Sequence, residues 1–207
     1  MKVVLASANP GKLRELAALL EPFGWELISQ WALGIESPSE TGSTFIQNAL
    51  IKARHAAQAA HWPALADDSG IEVAALGDAP GVWSARYARA QATDGENLAK
   101  LLGALRGVPR EERAARYRCV IAYVASAADP RPILGEGTWE GRIAPQPRGS
   151  GGFGYDPVFI PRETDASRET YRTAAELEPR EKAALSHRAK ALAAFTSRLD
   201  SAVARNP

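Results

Sequence analysis

The chain has 207 residues, enough for one good core or one domain with two lobes, and its 45% apolar and 24% charged residues suit an ordinary globular protein. A formal net charge of +1 argues against a partner such as a nucleic acid polymer, whereas a small anionic ligand needs only a few local cations. The apolar run Val3-Val4-Leu5-Ala6 is too short for a secretory core, and no stretch approaches the roughly 18–20 apolar residues that span a bilayer, so a cytoplasmic protein with no membrane partner is expected.

In chain order, Val3 to Ala6 reads as a short buried strand. Ser7-Ala8-Asn9-Pro10-Gly11-Lys12 follows, with Asn9 as N-cap and Pro10 at the first position of a helix carrying Leu13, Leu16, Ala17, Leu19 and Leu20. A second helix is predicted over Ser43 to Ala60, with Phe45, Ile46, Ala49, Leu50 and Ala53 on its inner face. Ala64-Leu65-Ala66 reads as a strand leading into Asp67-Asp68-Ser69-Gly70, and Ile71-Glu72-Val73 extends it or pairs with it. Gly77 to Arg89 is loop-like, with Pro80-Gly81 as a turn, and Asp94 caps a helix to about Leu105.

Arg116 to Ser126 and Ile133 to Ile143 read as two long strands of an antiparallel hairpin. The single cysteine, Cys119, sits in the first of them, where it cannot make an internal disulfide and reads as a small core residue. Arg162 to Arg172 is polar and reads as a loop, and a last helix runs from Arg180 to about Ala204. This order predicts an α/β fold: a mixed sheet with flanking helices, a long β-hairpin, and two lobes around a central cleft within one domain.

Four segments carry chemistry. The densest is Gly149-Ser150-Gly151-Gly152-Phe153-Gly154-Tyr155-Asp156-Pro157, where glycines bare the backbone while Phe153 and Tyr155 offer flat surfaces and Asp156 an acceptor. A flat heteroaromatic ring with polar edges, such as a nucleobase, suits that combination, and a glycine-rich turn with core-capping aromatics is the alternative. The Ser7–Lys12 junction puts helix N–H groups, the Asn9 amide and the Lys12 charge where phosphate is favoured, although it lacks P-loop spacing and most such turns bind nothing. Asp67-Asp68-Ser69-Gly70 supplies a hard-cation ligand or a water-activating base, or else an Asx turn. Glu40 is either a second metal carboxylate or a residue before a helix cap.

The fourth segment is Ser186-His187-Arg188, with Lys182 four residues before Ser186. Adjacent Ser and His on one helix diverge by about 100°, and no G-x-S-x-G elbow exists, which excludes a serine hydrolase. Arg188 can donate to a ring carbonyl, and Lys182 can reach a phosphate or base edge. His55 and His61 lack metal spacing and read as surface residues.

In this order and spacing the segments resemble the inosine triphosphate pyrophosphatase (Ham1-like) family, non-canonical purine NTP pyrophosphatases. The match includes Thr44-Phe45-Ile46-Gln47-Asn48-Ala49 and Ala79-Pro80-Gly81-Val82-Trp83-Ser84-Ala85-Arg86-Tyr87 and covers nearly the whole chain. The resemblance implies one domain over residues 1–207, a homodimer, Mg²⁺ as cofactor, and cleavage of ITP, dITP or XTP between the α- and β-phosphates. It implies that Asp68 is the catalytic base or metal-linked carboxylate, with Glu40 as a second metal ligand. Ser7, Ala8, Asn9, Pro10, Gly11 and Lys12 would hold the triphosphate, and Ser69 would touch the ligand. Phe153, within the Gly154-Tyr155-Asp156 motif, would stack on the base while Lys182, His187 and Arg188 read its edge. Ser39 and Gln47 stand where family members often carry acidic residues. A Maf-like pyrophosphatase for modified nucleotides and a non-catalytic nucleotide sensor are the competing readings.

Overall fold

A computed structural model describes residues 1–7, 16, 20–167 and 170–203, without the side chains of 201–203. Its strands are β1 (Lys2–Leu5), β2 (Glu26–Ser29), β3 (Ala64–Val73), β4 (Ala79–Pro80), β5 (Ala114–Val124), β6 (Ile133–Ile143) and β7 (Phe159–Pro161). They form a seven-stranded sheet in the order β2-β1-β3-β5-β6-β7, with β4 pairing β3 off that path. β1 is parallel to β2 and β3, whereas β4 runs antiparallel to β3 and β7 to β6, so the sheet is mixed as expected. The link 125–132 is too short for a parallel return, and β5 and β6 form the predicted hairpin.

Four described α-helices bear on function: α1 (Phe45–Ala60), α2 (Asp94–Ala104) and, near the C-terminus, α3 (Pro179–Leu185) followed by α4 (His187–Val203). Thr44 caps α1, its side chain accepting from the Gln47 N–H at 3.2 Å. For α2 the cap is Thr93 rather than Asp94: Thr93 and Glu96 form a reciprocal capping box, and Asp94 is the first helical residue.

The chain divides into two compact units, one of residues 1–68, 119–136 and 191–207, the other of 69–118 and 137–190. In the first, Val3, Leu5, Leu65, Cys119 and Ile121 of the strands pack with Leu16, Leu20 and the α4 residues Ala191, Leu192, Phe195 and Leu199. On α1 the small residues Ala53, Ala56 and Ala57 pack with Val4, Ala6, Ala64, Ala66 and Val124. At Gly135 a Cβ would lie 2.3 Å from the Ala191 carbonyl oxygen, so only glycine lets α4 approach β6 that closely. The second unit is built around Trp139, Phe159, Tyr117, Tyr155, Leu101 and Leu105.

Candidate active site

In the first unit the chemistry gathers on β3. Asp67 and Asp68 lie inside a ten-residue strand, so the Asx-turn alternative does not hold, and both carboxylates are buried at 4% and 8% exposure. Two buried acids require a cation. Lys52, on α1, provides one: its Nζ lies 2.7 Å from Asp68 Oδ1 and 3.0 Å from Glu40 Oε1. Asp67 adds to the negative field that Lys52 feels. Asp68, Asp67 and Glu40 thus all act on the Lys52 ammonium.

The titrations follow from burial and from this shared field. Burial pushes the Asp68 carboxyl above the usual aspartate range, Lys52 pulls it back, and Glu40 and Asp67 push it up again. Burial alone would lower the Lys52 ammonium, but Asp68, Asp67 and Glu40 outweigh it and hold the ammonium above its usual range. Asp68 Oδ2 is buried and has no hydrogen-bond partner among the described residues. A buried carboxylate oxygen without a partner among the described residues, with other acids near, fits a cation or a proton in flight. Among the described residues no group of three or more acid, His or Cys side chains is arranged around a metal position, and Glu40 and Asp68 converge on the Lys52 ammonium instead.

Glu40 precedes a turn pinned to the start of α1. Asn48 Oδ1 accepts from the Gly42 N–H at 2.8 Å, while Gln47 Oε1 accepts from the Ser43 N–H at 2.8 Å and its hydroxyl at 3.0 Å. Gln47 is therefore engaged in helix capping, which an amide oxygen does as an acid would.

The second unit holds the aromatic platform. Phe153 is 58% exposed, with Lys182 Nζ 5.2 Å and the Arg188 guanidinium carbon 6.0 Å from its ring centroid. Beneath it Asp156, 3% exposed, accepts from the Phe153 N–H at 2.8 Å through Oδ2, which also pairs with Lys182. Gly152 has φ +75°, and a Cβ there would lie 2.1 Å from Asp156 Oδ2 and 2.7 Å from Lys182 Nζ. Gly154 donates its N–H to Asp94 at 2.7 Å, and the buried Tyr155 hydroxyl donates to the Ser84 carbonyl at 2.8 Å. Ser84 in turn accepts from the Ile71 N–H at 2.9 Å. The glycine-rich loop is thus clamped at three points while its phenyl ring stays open to solvent.

The C-terminal helix is broken where the sequence predicts continuity. Ser186 is extended, at φ −64° and ψ 154°; its N–H closes α3 on the Lys182 carbonyl and its Oγ accepts from the Ala189 N–H at 3.2 Å. A serine that can serve as N-cap ends one helix and begins the next. His187 and Arg188 consequently occupy the first turn of α4, and Lys182 belongs to α3.

The model of the Ham1 family matches residues 3–198. The chain belongs to the Ham1 family. It is 55% identical over 191 residues to a dITP/XTP pyrophosphatase of Yersinia pseudotuberculosis, covering 92% of this chain and 94% of that protein. An Escherichia coli O157:H7 dITP/XTP pyrophosphatase is 53% identical over 192 residues, covering 92% and 94%. The solved Coxiella burnetii HAM1 protein superposes with a TM-score of 0.90 at 47% identity, over 97% of this chain and 99% of that one.

With Ham1 membership the Maf-like alternative is set aside. Of the residues that the sequence singles out, Glu40 and Asp68 come together, as do Phe153, Asp156, Lys182 and Arg188. Lys182 pairs with Asp156 rather than pointing a bare charge at a ligand. Ser7 lies at the end of β1, its carbonyl accepting from Ser29 Oγ at 3.3 Å, and Ser69 is half-buried on β3. Ala8 to Lys12 lie outside the described residues. Two residues that the structure brings against the sequence-predicted ones escaped sequence reading. Lys52 looks like any helix lysine, and its one clue is that it lies four residues, one helical turn, after Asn48. Tyr117 looks like core.

Proposed function

We propose that the chain hydrolyses non-canonical purine nucleoside triphosphates (ITP, dITP and XTP) to the monophosphate and pyrophosphate. The observation that carries this reading is the buried Asp68 carboxylate, held by Lys52 at one oxygen and without a hydrogen-bond partner among the described residues at the other. A general base needs a free oxygen and an affinity for protons nearer neutrality than that of an exposed aspartate, and Asp68 combines the two. The names of the 53–55% identical relatives point to the same substrates.

In this reading Asp68 Oδ2 takes a proton from water as the water oxygen bonds to the α-phosphorus. The bond from that phosphorus to the oxygen bridging the β-phosphate breaks, and pyrophosphate leaves with the bond's electron pair. Lys52 holds Asp68 in place and offsets phosphate charge. Asn9 and Lys12, with the backbone from Ser7 to Gly11 (Ser7, Ala8, Pro10 and Gly11 included), hold the triphosphate, and Ser69 touches it. Glu40 and Asp68 are the residues to hold Mg²⁺, which when bound neutralises the charge of the departing pyrophosphate. The grouping of Glu40, Asp67 and Asp68 about Lys52 suits such an ion, while Asp68 Oδ2 stays with the water.

Phe153 stacks on the base, its backbone fixed by Asp156 within the Gly154-Tyr155-Asp156 turn, while Lys182, His187 and Arg188 line the base edge. Hypoxanthine and xanthine carry a 6-carbonyl acceptor where adenine carries an amino donor, so a donor such as Arg188 facing that position opposes adenine donor to donor. We further propose one functional domain over residues 1–207, a cytoplasmic homodimer, with no nucleic acid polymer and no membrane as partner. No helix among the described residues is long and apolar enough to cross a membrane.

The test is pyrophosphate release from ITP and ATP, with and without Mg²⁺, by the natural chain and by Asp68→Asn. Mg²⁺-dependent release from ITP, lost in the variant, is the expected result. ITP binding without turnover by the natural chain would replace this reading with that of a nucleotide sensor.

A further inference from the structure

We infer that Tyr117 is the positioning residue that sets the plane of the His187 ring and thereby the discrimination between 6-oxo and 6-amino purines; this rests on the reading that His187 lines the base edge. The His187 and Tyr117 rings are stacked 4.7 Å apart and only 7° from parallel. A histidine ring turns about a broad χ2 torsion, so its plane is fixed by packing rather than by rotamer preference. Tyr117 on β5 is itself immobilised from behind. Phe159 of β7 meets its edge at 4.7 Å and 66°, and Trp139 of β6 packs on Phe159 at 5.3 Å and 59°. Trp139 and Phe159 are fully buried, and Tyr117 and His187 are 8% and 7% exposed. Four rings therefore form a column from the core of the second unit to the first turn of α4.

The column also reaches the residue that orders Phe153. The Tyr117 hydroxyl lies 3.5 Å from Asp156 Oδ1, and Oδ2 of the same carboxylate takes the Phe153 N–H and Lys182. Burial, then Asp156, holds the Tyr117 phenol far above its usual range, so it stays neutral and adds no charge to the stack. Hydrogen bonds weaken steeply away from linearity, so tilting the His187 ring loses its contact with a base without removing any donor.

The experiment compares Tyr117→Leu, Tyr117→Phe and His187→Ala with the natural chain, measuring kcat and KM for ITP and ATP and the unfolding midpoint. Tyr117→Leu is expected to lower the ITP:ATP ratio of kcat/KM about tenfold, mainly through a higher KM for ITP. Tyr117→Phe keeps the ring and holds the ratio within about threefold of the natural value, because a 3.5 Å hydroxyl contact is weak. A merely destabilised fold would lower the active fraction for both substrates and leave the ratio unmoved. Should Tyr117→Leu not fold, Tyr117→Met fills the space with a flexible chain and is read in the same way. With three histidines in the chain, the ring-proton NMR signals of His187 give an independent readout. They should move upfield under the Tyr117 face and lose that shift in the Leu or Met variant.

A natural ITP:ATP ratio in the Leu or Met variant, with a collapsed ratio in His187→Ala, would overturn the positioning role alone. An unchanged ratio in His187→Ala, or no ITP hydrolysis by the natural chain, would overturn the reading of His187 and this inference with it.

Discussion

Lys52 on α1 and Asp68 on β3 share a charge-assisted hydrogen bond of 2.7 Å between side chains that are 14% and 9% exposed. The same ammonium reaches Glu40, so one lysine ties together two acids from different segments of the chain. Replacing Lys52 by Met leaves those carboxylates without their cation. Removing one partner of a buried pair costs about 3–5 kcal/mol, and loss of a positioned catalytic group costs about 10²–10⁴ in rate. Lys52→Met is expected to fall in both, measured by urea unfolding and by pyrophosphate release. Adding Asp68→Asn should recover part of the stability and none of the activity; a double variant less stable than Lys52→Met would contradict the pairing.

The direction of the Asp68 titration sets two pH effects. Because its folded value is raised, its ionisation opposes folding: the unpenalised state holds below the ordinary aspartate range, and stability is lost as pH rises from there through the raised value. Asp68→Asn mimics the protonated acid, so at neutral pH it should melt higher than the natural chain, with the gap closing in acid. The kcat/KM profile of the natural chain should carry an acid limb above the ordinary aspartate range. Lys52 acts in the same sense at higher pH: its stabilisation is complete below the usual lysine range and is lost only as pH rises through its raised value. Melting curves across pH, beside rate profiles, test both.

Gly152 makes a sharper demand on the base platform. A Cβ at that position would strike Asp156 Oδ2 and Lys182 Nζ, on a backbone at φ +75°. Gly152→Ala is expected to part that pair and shift the Phe153 backbone that depends on Asp156. A strained, overpacked site of this kind costs about 1–3 kcal/mol. The effect should show as a rise in KM for ITP of about tenfold or more, since binding geometry rather than chemistry is disturbed. An unchanged KM would show that the Asp156–Lys182 pair does not order the platform.

What the sequence hides at this site is tertiary. Asp67-Asp68-Ser69-Gly70 has the composition of a turn, yet it lies within β3, a strand inside the sheet whose pairing outweighs local preference. Lys52 is separated from Asp68 by the second half of α1, a short link and the first part of β3, so no local spacing links them. Ser186 has no glycine or proline beside it, and only its own cap on Ala189 reveals the break before His187. By contrast, the hairpin, α1 and the burial of Cys119 follow from local pattern, because apolar periodicity carries them without distant partners.

Gln47 settles a question raised by composition. Its amide oxygen already caps the Ser43 N–H and hydroxyl, so a carboxylate there would keep both bonds and meet the positive end of α1. Gln47→Glu should add about 0.3–1 kcal/mol to stability. The side chain is exposed and engaged at the cap, so Mg²⁺ dependence of pyrophosphate release should stay as in the natural chain. A shift in the Mg²⁺ concentration for half-maximal rate would instead place position 47 among the metal ligands.

Phe153 separates binding from folding most cleanly. At 58% exposure its ring contributes little to the core, whose aromatic members Trp139 and Phe159 are fully buried. Stacking of a base on an aromatic side chain is worth about 1–3 kcal/mol, or roughly tenfold to hundredfold in affinity. Phe153→Ala should therefore raise KM for ITP by that factor while the unfolding midpoint stays close to that of the natural chain. Phe153→Trp keeps a flat face near Lys182 and Arg188 and should restore KM. A large fall in the midpoint with unchanged KM would return the ring to the role of a core cap, the alternative that its glycine-rich surroundings first allowed.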